Sequence, residues 1–163
     1  MTAQPPSVTL VPLTTDNLPS LLEAAVADAD PLEVMPAVAG PPGWTPERRR
    51  AFVEFHRGRA LHPTRPIEHT YLITDDGRVV GAARLQPDGD AVEAGIWIGR
   101  SHRGRGIGTV VAGQLRDIAA RLGAHRLTAV TTADNAAAQR LVHAGAHHTL
   151  TEGDEVTGTT ELR

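Results

Sequence analysis

The 163-residue sequence contains no cysteine. Disulfides, thiolate metal sites and a cysteine nucleophile are therefore excluded. Lysine is missing as well, so all 16 basic residues are arginine, and the Gly-Lys-Ser/Thr phosphate loop cannot be present. Aromatic residues make up only 3%. That scarcity leaves Ala, Val, Leu and Ile to fill the core and removes the stacking platforms that single-stranded nucleic acid needs. The net charge is −3 and no basic tract marks a nucleic-acid footprint. The run Arg48-Arg49-Arg50, flanked by Glu47 and Glu54, reads as a solvated helix face. No stretch approaches the ~20 apolar residues of a membrane span, and Met1 to Ser7 has neither the basic nor the apolar region of a signal peptide. A cytoplasmic protein is expected, with no nucleic-acid or membrane partner.

Apolar residues at 40% and charged residues at 21% fit an ordinary globular chain. The length, with no internal repeat or boundary signal, favours one domain over residues 1–163. Val8 to Leu13 reads as a strand. Asp16 or Asn17 can cap a helix through about Ala29, with apolar positions at Leu18, Leu21, Leu22, Ala25 and Val26. Asp30 to Pro46 holds five prolines and two glycines. It is too broken for regular structure and long enough to be a functional loop. Trp44 within it either lines a pocket or is simply tucked under the loop. Pro46 suits the first turn of a helix from about Thr45 to Leu61.

Three strands follow, His69 to Thr74, Arg78 to Leu85 and Ala91 to Ile98. The turns Asp75-Asp76-Gly77 and Pro87-Asp88-Gly89-Asp90 join them into an antiparallel meander. A helix opens at Gly106 or Gly108 and runs to Leu122, with Ile107, Val111, Leu115, Ile118 and Leu122 on one stripe, and Gly123 stops it. Arg126 to Thr131 is the next strand, Asn135 to Ala144 a short helix, and Ala146 to Leu150 and Val156 to Leu162 the last strands. The order β-α-α-β-β-β-α-β-α-β-β predicts an α/β (α+β) fold: a mixed, mostly antiparallel sheet of six or seven strands flanked by four helices. One step is parallel, where the helix after Ile98 crosses over to the strand at Arg126.

The segment Arg103-Gly104-Arg105-Gly106-Ile107-Gly108 stands between a strand and a helix. Unpaired N–H groups at a helix start, with the helix dipole behind them, make an anion site. Glycines let a diphosphate approach the backbone, and two guanidiniums suit phosphate oxygens. The spacing is not that of the dinucleotide fingerprint, because the glycines fall at 104, 106 and 108. A plain glycine-rich turn is the alternative.

These residues resemble the acetyl-CoA signature of the GNAT N-acetyltransferases, Arg103-x-x-Gly106-x-Gly108 after a strand ending Gly95-Ile96-Trp97-Ile98. Val92 to Ile98 resembles the branch holding the ribosomal-protein and polyamine N-acetyltransferases. Asn135-Ala136-Ala137-Ala138-Gln139-Arg140-Leu141 is similar to a second family element. The resemblance implies acetyl-CoA as co-substrate. Its pyrophosphate would lie on Arg103, Gly104, Arg105, Gly106, Ile107, Gly108 and Thr109. Its pantetheine arm would lie along Ile96, Trp97 and Ile98, in a gap where that strand splays from the one at Arg126, and would meet the Asn135 side chain. Asp134 or Asn135 is equally an ordinary helix cap. A homodimer is implied by resemblance alone.

Acetyl transfer to an amine needs a base, since an ammonium has no lone pair, and a backbone donor for the developing oxyanion, expected near Ile98. Glu93 is the candidate base, because relatives with this pattern use a carboxylate there. Its alternative is an edge-strand carboxylate in solvent or paired to an arginine. Glu68 and His69 are weaker candidates. Many relatives carry a Tyr after the Leu of the second motif as general acid. Here Val142 follows Leu141, and the sole tyrosine is Tyr71. A thiol of pKa ~8.5 leaves tolerably as thiolate, so the acid is helpful but not required. No metal is expected. His143, His147 and His148 approach a helical pair, but Gly145 interrupts them and no carboxylate completes the set. The expected activity is acetylation of a small-molecule amine or a peptide N-terminus. The alternative is a GNAT module that binds acyl-CoA without turnover.

Overall fold

The computed structural model describes residues 7–132, 148–152 and 155–162. Among them seven strands form one sheet: β1 (Val8–Pro12), β2 (His69–Asp75), β3 (Arg78–Asp88), β4 (Ala91–Ile98), β5 (Arg126–Thr132), β6 (His148–Glu152) and β7 (Glu155–Glu161). Their order across the sheet is β1-β2-β3-β4-β5-β7-β6. Every neighbouring pair is antiparallel except β4 and β5, which run parallel. The helices are α1 (Leu18–Asp28), α2 (Pro31–Val34), α3 (Pro46–Arg59) and α4 (Ile107–Arg121). The mixed sheet with its one parallel step is as expected. The helix expected over Asn135 to Ala144 lies outside the described residues.

The meander follows from its turns. Asp76 at φ 50° and Gly77 at φ 80° supply the two positive-φ positions of a tight hairpin between β2 and β3. Period-two alternation then sorts the strands onto two cores. Ile73, Ala83, Val92 and Ala94 pack with Ile107, Val111 and Leu115 under α4. Leu72 and Ala82, one residue out of phase, pack with Leu18, Leu21, Ala25 and Phe52 under α1 and α3.

Four expectations change. Leu122 is not on the buried stripe of α4. It is 48% exposed, because the helix ends at Arg121 and Ala119 takes the last core position. Asn17 sits at the start of α1 but makes no side-chain cap. It accepts from Thr14 N–H at 2.7 Å and donates to Pro12 O at 3.0 Å, closing the turn out of β1. The stretch from Asp30 to Pro46 contains one regular turn, α2, held by a reciprocal cap. Asp30 accepts from Leu32 N–H at 3.0 Å, and Glu33 accepts from Asp30 N–H at 3.1 Å.

The rest of that loop is gathered by Arg48, which is not the solvated residue its neighbours suggested. Its guanidinium donates to the carbonyls of Val38 (2.9 Å), Gly40 (3.2 Å), Gly43 (2.7 Å) and Pro41. Trp44 is half-buried under the loop. Its Nε1 donates to Ala29 O at 2.8 Å, and its ring meets Phe52 edge-on, with centroids 5.7 Å apart.

Candidate acyl-CoA site

The phase of the β3–β4 ladder decides which backbone groups face β5. Gly99 N–H donates to Val80 O at 2.8 Å, and the register runs without a break from Gly81↔Ile98 to Asp88↔Ala91. Alternation along an antiparallel pair then turns the backbone groups of Trp97, Gly95 and Glu93 toward β3. Those of Ile98, Ile96, Ala94 and Val92 turn toward β5. The parallel pairing with β5 covers only Ala91↔Arg126 to Ala94↔Ala129, whereas β5 continues along β7 to Thr132↔Glu155. The two strands therefore part after Ala94 and Ala129. Beyond that fork, the N–H groups of Ile96 and Ile98 have no partner among the described residues.

The chain then passes a 3-10 turn, Arg100–His102, and reaches α4. Gly104 at φ 77° and Gly106 at φ 81° take the left-handed conformation that side chains resist. Gly106 is the N-cap of α4, and no side chain caps the helix. The first intrahelical bond runs from Val110 N–H to Gly106 O at 3.2 Å. The N–H groups of Ile107, Gly108 and Thr109 precede it and have no acceptor inside the helix. Arg103, Gly104, Arg105, Gly106 and Thr109 are exposed, and a Cβ at Gly104 or Gly106 would meet nothing within 4 Å. An open seat of free amides, with the positive end of a helix behind it, suits a phosphate.

The Arg103 guanidinium is engaged within the protein. It donates to Ile98 O at 2.9 Å and to Glu33 at 2.7 Å. Arg100 reaches the same carboxylate at 2.6 Å. Burial raises the Glu33 carboxyl, but hydrogen bonds from Arg103, Asp30 N–H and Arg100, with the Arg103 charge, outweigh it and hold it below its usual 4.5. Asp28, at the end of α1, accepts from Ser101 N–H at 3.1 Å and from its hydroxyl at 2.6 Å. The loop is thus pinned to α1 and α2, and Arg105 is the guanidinium left exposed beside the amides. Neither Glu33 nor Asp28 was singled out from the sequence, because both lie about 70 residues away with no local pattern.

On the opposite face of β4, Glu93 is half-exposed and stands 3.5 Å from Arg84 Nη2. It is on an inner strand, and the arginine-paired alternative is the one the structure brings together. Glu68 is buried against Arg59 and accepts the Thr70 hydroxyl at 3.1 Å. His69 is exposed at the start of β2. Tyr71 lies on β2, packed on the α4 side and separated from β4 by β3. Asn135, Val142, His143 and His147 lie outside the described residues. Among the described residues, no group of three His, Asp or Glu could hold a metal ion, and no helix is long and apolar enough to cross a membrane.

Residues 32–146 match the acetyltransferase (GNAT) family, and the chain belongs to it; its class is that of the acyl-CoA-dependent acetyltransferases. No curated protein matches the sequence. Among solved structures, the chain is similar to RimJ of Mycobacterium smegmatis in complex with a CoA disulfide, at 18% identity and TM-score 0.73 over 94% of this chain and 81% of that one. It is similar to the GNAT domain of Streptomyces lividans PAT at 16% identity and TM-score 0.72, over 95% and 90%. The spermidine/spermine N-acetyltransferase SpeG of Vibrio cholerae aligns at 16% identity and TM-score 0.68, over 95% and 94%. These likenesses, at 16% to 18% identity, show the fold.

Proposed function

We propose that the protein moves an acetyl group from acetyl-CoA to a primary amine by direct attack within a ternary complex. The observation that carries this reading is the fork between β4 and β5, which leaves the Ile96 and Ile98 N–H groups free beside an uncapped helix. The diphosphate sits on the amides of Gly104 to Thr109. The pantetheine arm runs down the fork along Ile98, Trp97 and Ile96, where four residues of strand span about 13 Å at ~3.3 Å each. That length brings the thioester close to the point where the strands meet, beside Glu93.

There the Glu93 carboxylate accepts a proton from the acceptor ammonium, directly or through water. The freed nitrogen bonds to the acetyl carbon, the C–S bond breaks, and the second proton that the nitrogen sheds passes through water to the departing thiolate, leaving the amide and the CoA thiol. The N–H of Ile96 or Ile98 stabilises the oxyanion as it forms. Two reactants held in register gain much of their rate from that positioning.

Thiol release from acetyl-CoA, measured against amines and peptides, tests the proposal. Release with an amine acceptor, reduced roughly 10²- to 10⁴-fold in Glu93→Gln with acetyl-CoA binding retained, is the expected result. Binding of acetyl-CoA without release across the whole panel would replace this reading with that of an acyl-CoA-binding module.

A further inference from the structure

Two arginines lie near Glu93 and Gln86, and their carboxylate contacts differ in tightness. Arg59 is held by the Glu68 carboxylate and by Gln86 Oε1 at 2.7 Å, with its guanidinium 5.2 Å over the Phe55 ring. Arg84 is held loosely. It donates at 3.2 Å to the same Gln86 oxygen, and its 3.5 Å approach to Glu93 is at the outer limit of a hydrogen bond. A guanidinium has five N–H donors, so most of those on Arg84 are unused among the described residues. Its side chain is 33% exposed, and that of Glu93 43%.

The position of this cation is specific. Arg84 pairs across the strands with Gly95, and a Cβ there would stand 2.9 Å from Arg84 Nε. The guanidinium can lie over β4 only because residue 95 has no side chain. Gly95 follows Ala94 directly, where the fork opens. A cation and an anion that are only loosely paired to each other thus flank the point that the thioester reaches.

We infer that the acceptor amine carries a carboxylate close to its nitrogen, as an α-amino acid does, with Arg84 binding that carboxylate while Glu93 receives the ammonium proton. The inference rests on Glu93 being the base. A guanidinium fork fits a carboxylate through two parallel bonds, so a zwitterion answers both charges at once. A polyamine would bring further ammonium groups against Arg84, with Glu68 already neutralised by Arg59. A peptide N-terminus offers a neutral amide where the carboxylate would lie.

The experiment compares thiol release for free α-amino acids, the matching amino acid amides and spermidine, in the full-length protein and in Arg84→Gln and Arg84→Lys. The free acids should exceed their amides in kcat/KM by roughly ten- to a hundredfold, the worth of a charge-assisted hydrogen bond. The ratio should fall to about one in Arg84→Gln, mainly through KM, and to an intermediate value in Arg84→Lys. Thermal stabilisation of each variant by acetyl-CoA checks that the fold is retained. Equal rates for acid and amide, preference for spermidine, or a ratio that survives in Arg84→Gln overturns the inference. Should no acceptor release thiol, here or across the wider panel of amines and peptides, acetyl transfer itself is refuted. The carboxylate seat is then read by the melting temperature of the CoA-loaded protein. N-acetyl amino acids should raise it in the unaltered protein, their amides should not, and Arg84→Gln should abolish the rise; no rise overturns the seat as well.

Discussion

Glu33 and Arg103, 70 residues apart in the chain, meet at 2.7 Å and tie the turn after α1 to the loop that opens α4. Because Arg103 also holds Ile98 O, one carboxylate helps to set the end of β4, the anion seat and the turn after α1 as a unit.

Removing that tie should loosen the seat more than the fold. Glu33→Gln is expected to cost no more than about 1 kcal/mol, since its arginine partners are largely exposed. KM for acetyl-CoA should rise roughly severalfold with kcat little changed. A lower KM would mean that the freed Arg103 binds phosphate and that the tie to Glu33 is inhibitory.

His56 gives the fold a dependence on acidity. It is buried between Phe52 and Phe55, with ring centroids 4.6 and 5.2 Å away, and its Nε2 has no partner among the described residues. Burial pushes its pKa from 6.5 to about 4, with the Glu68 charge opposing and those of Arg59 and Arg84 assisting. The unfolded chain then binds the extra proton first, so stability should rise with pH between about 4 and 6.5 and fall on acidification through that window. The full effect is about 3 kcal/mol. Melting temperatures across the window should show this slope, and His56→Leu should flatten it. The Glu33 and Asp28 carboxyls, held low, add their own loss only below the usual carboxylate range.

Gly81 and Gly106 should respond differently to a methyl group. At Gly81 a Cβ would clash with Trp97 O, a backbone atom that gives way only if the strand shifts. Gly81→Ala should therefore destabilise by about 3 kcal/mol and displace β4. At Gly106 the space is open but φ is 81°. Gly106→Ala should cost about 1–2 kcal/mol, with a larger loss in acetyl-CoA affinity. Denaturant midpoints and ligand titrations separate the two.

Arg48→Ala should free the loop that its guanidinium gathers. Loss of charged donors to four carbonyls is worth about 2 kcal/mol. Proteolysis within residues 36–44 should accelerate well before the sheet unfolds.

The meander, its tight turns and the α4 stripe were legible because their causes are local: Asp76-Gly77 for a hairpin, Ile107, Val111 and Leu115 for a buried face. The anion loop was legible for the same reason, since glycines at 104, 106 and 108 act on their own backbone. The loose Arg84–Glu93 pair, the pairing of Arg103 with Glu33 and the gathering of the proline-rich loop by Arg48 were not. Each depends on a partner brought in by the tertiary fold, and an arginine on a helix looks the same whether it faces water or four carbonyls. The fork itself was anticipated through family resemblance, and only the register shows where the pairing of β4 with β5 stops.

Amide hydrogen exchange at Ile96, Ile98, Ile107, Gly108 and Thr109, with and without CoA, tests the central claim most directly. These amides should exchange rapidly in the free protein and become protected together when CoA is added, while Trp97 and Gly95, already bonded to β3, should not change. Protection of Ile96 and Ile98 before CoA is present, or no change at any of the five once CoA is bound, would contradict the account.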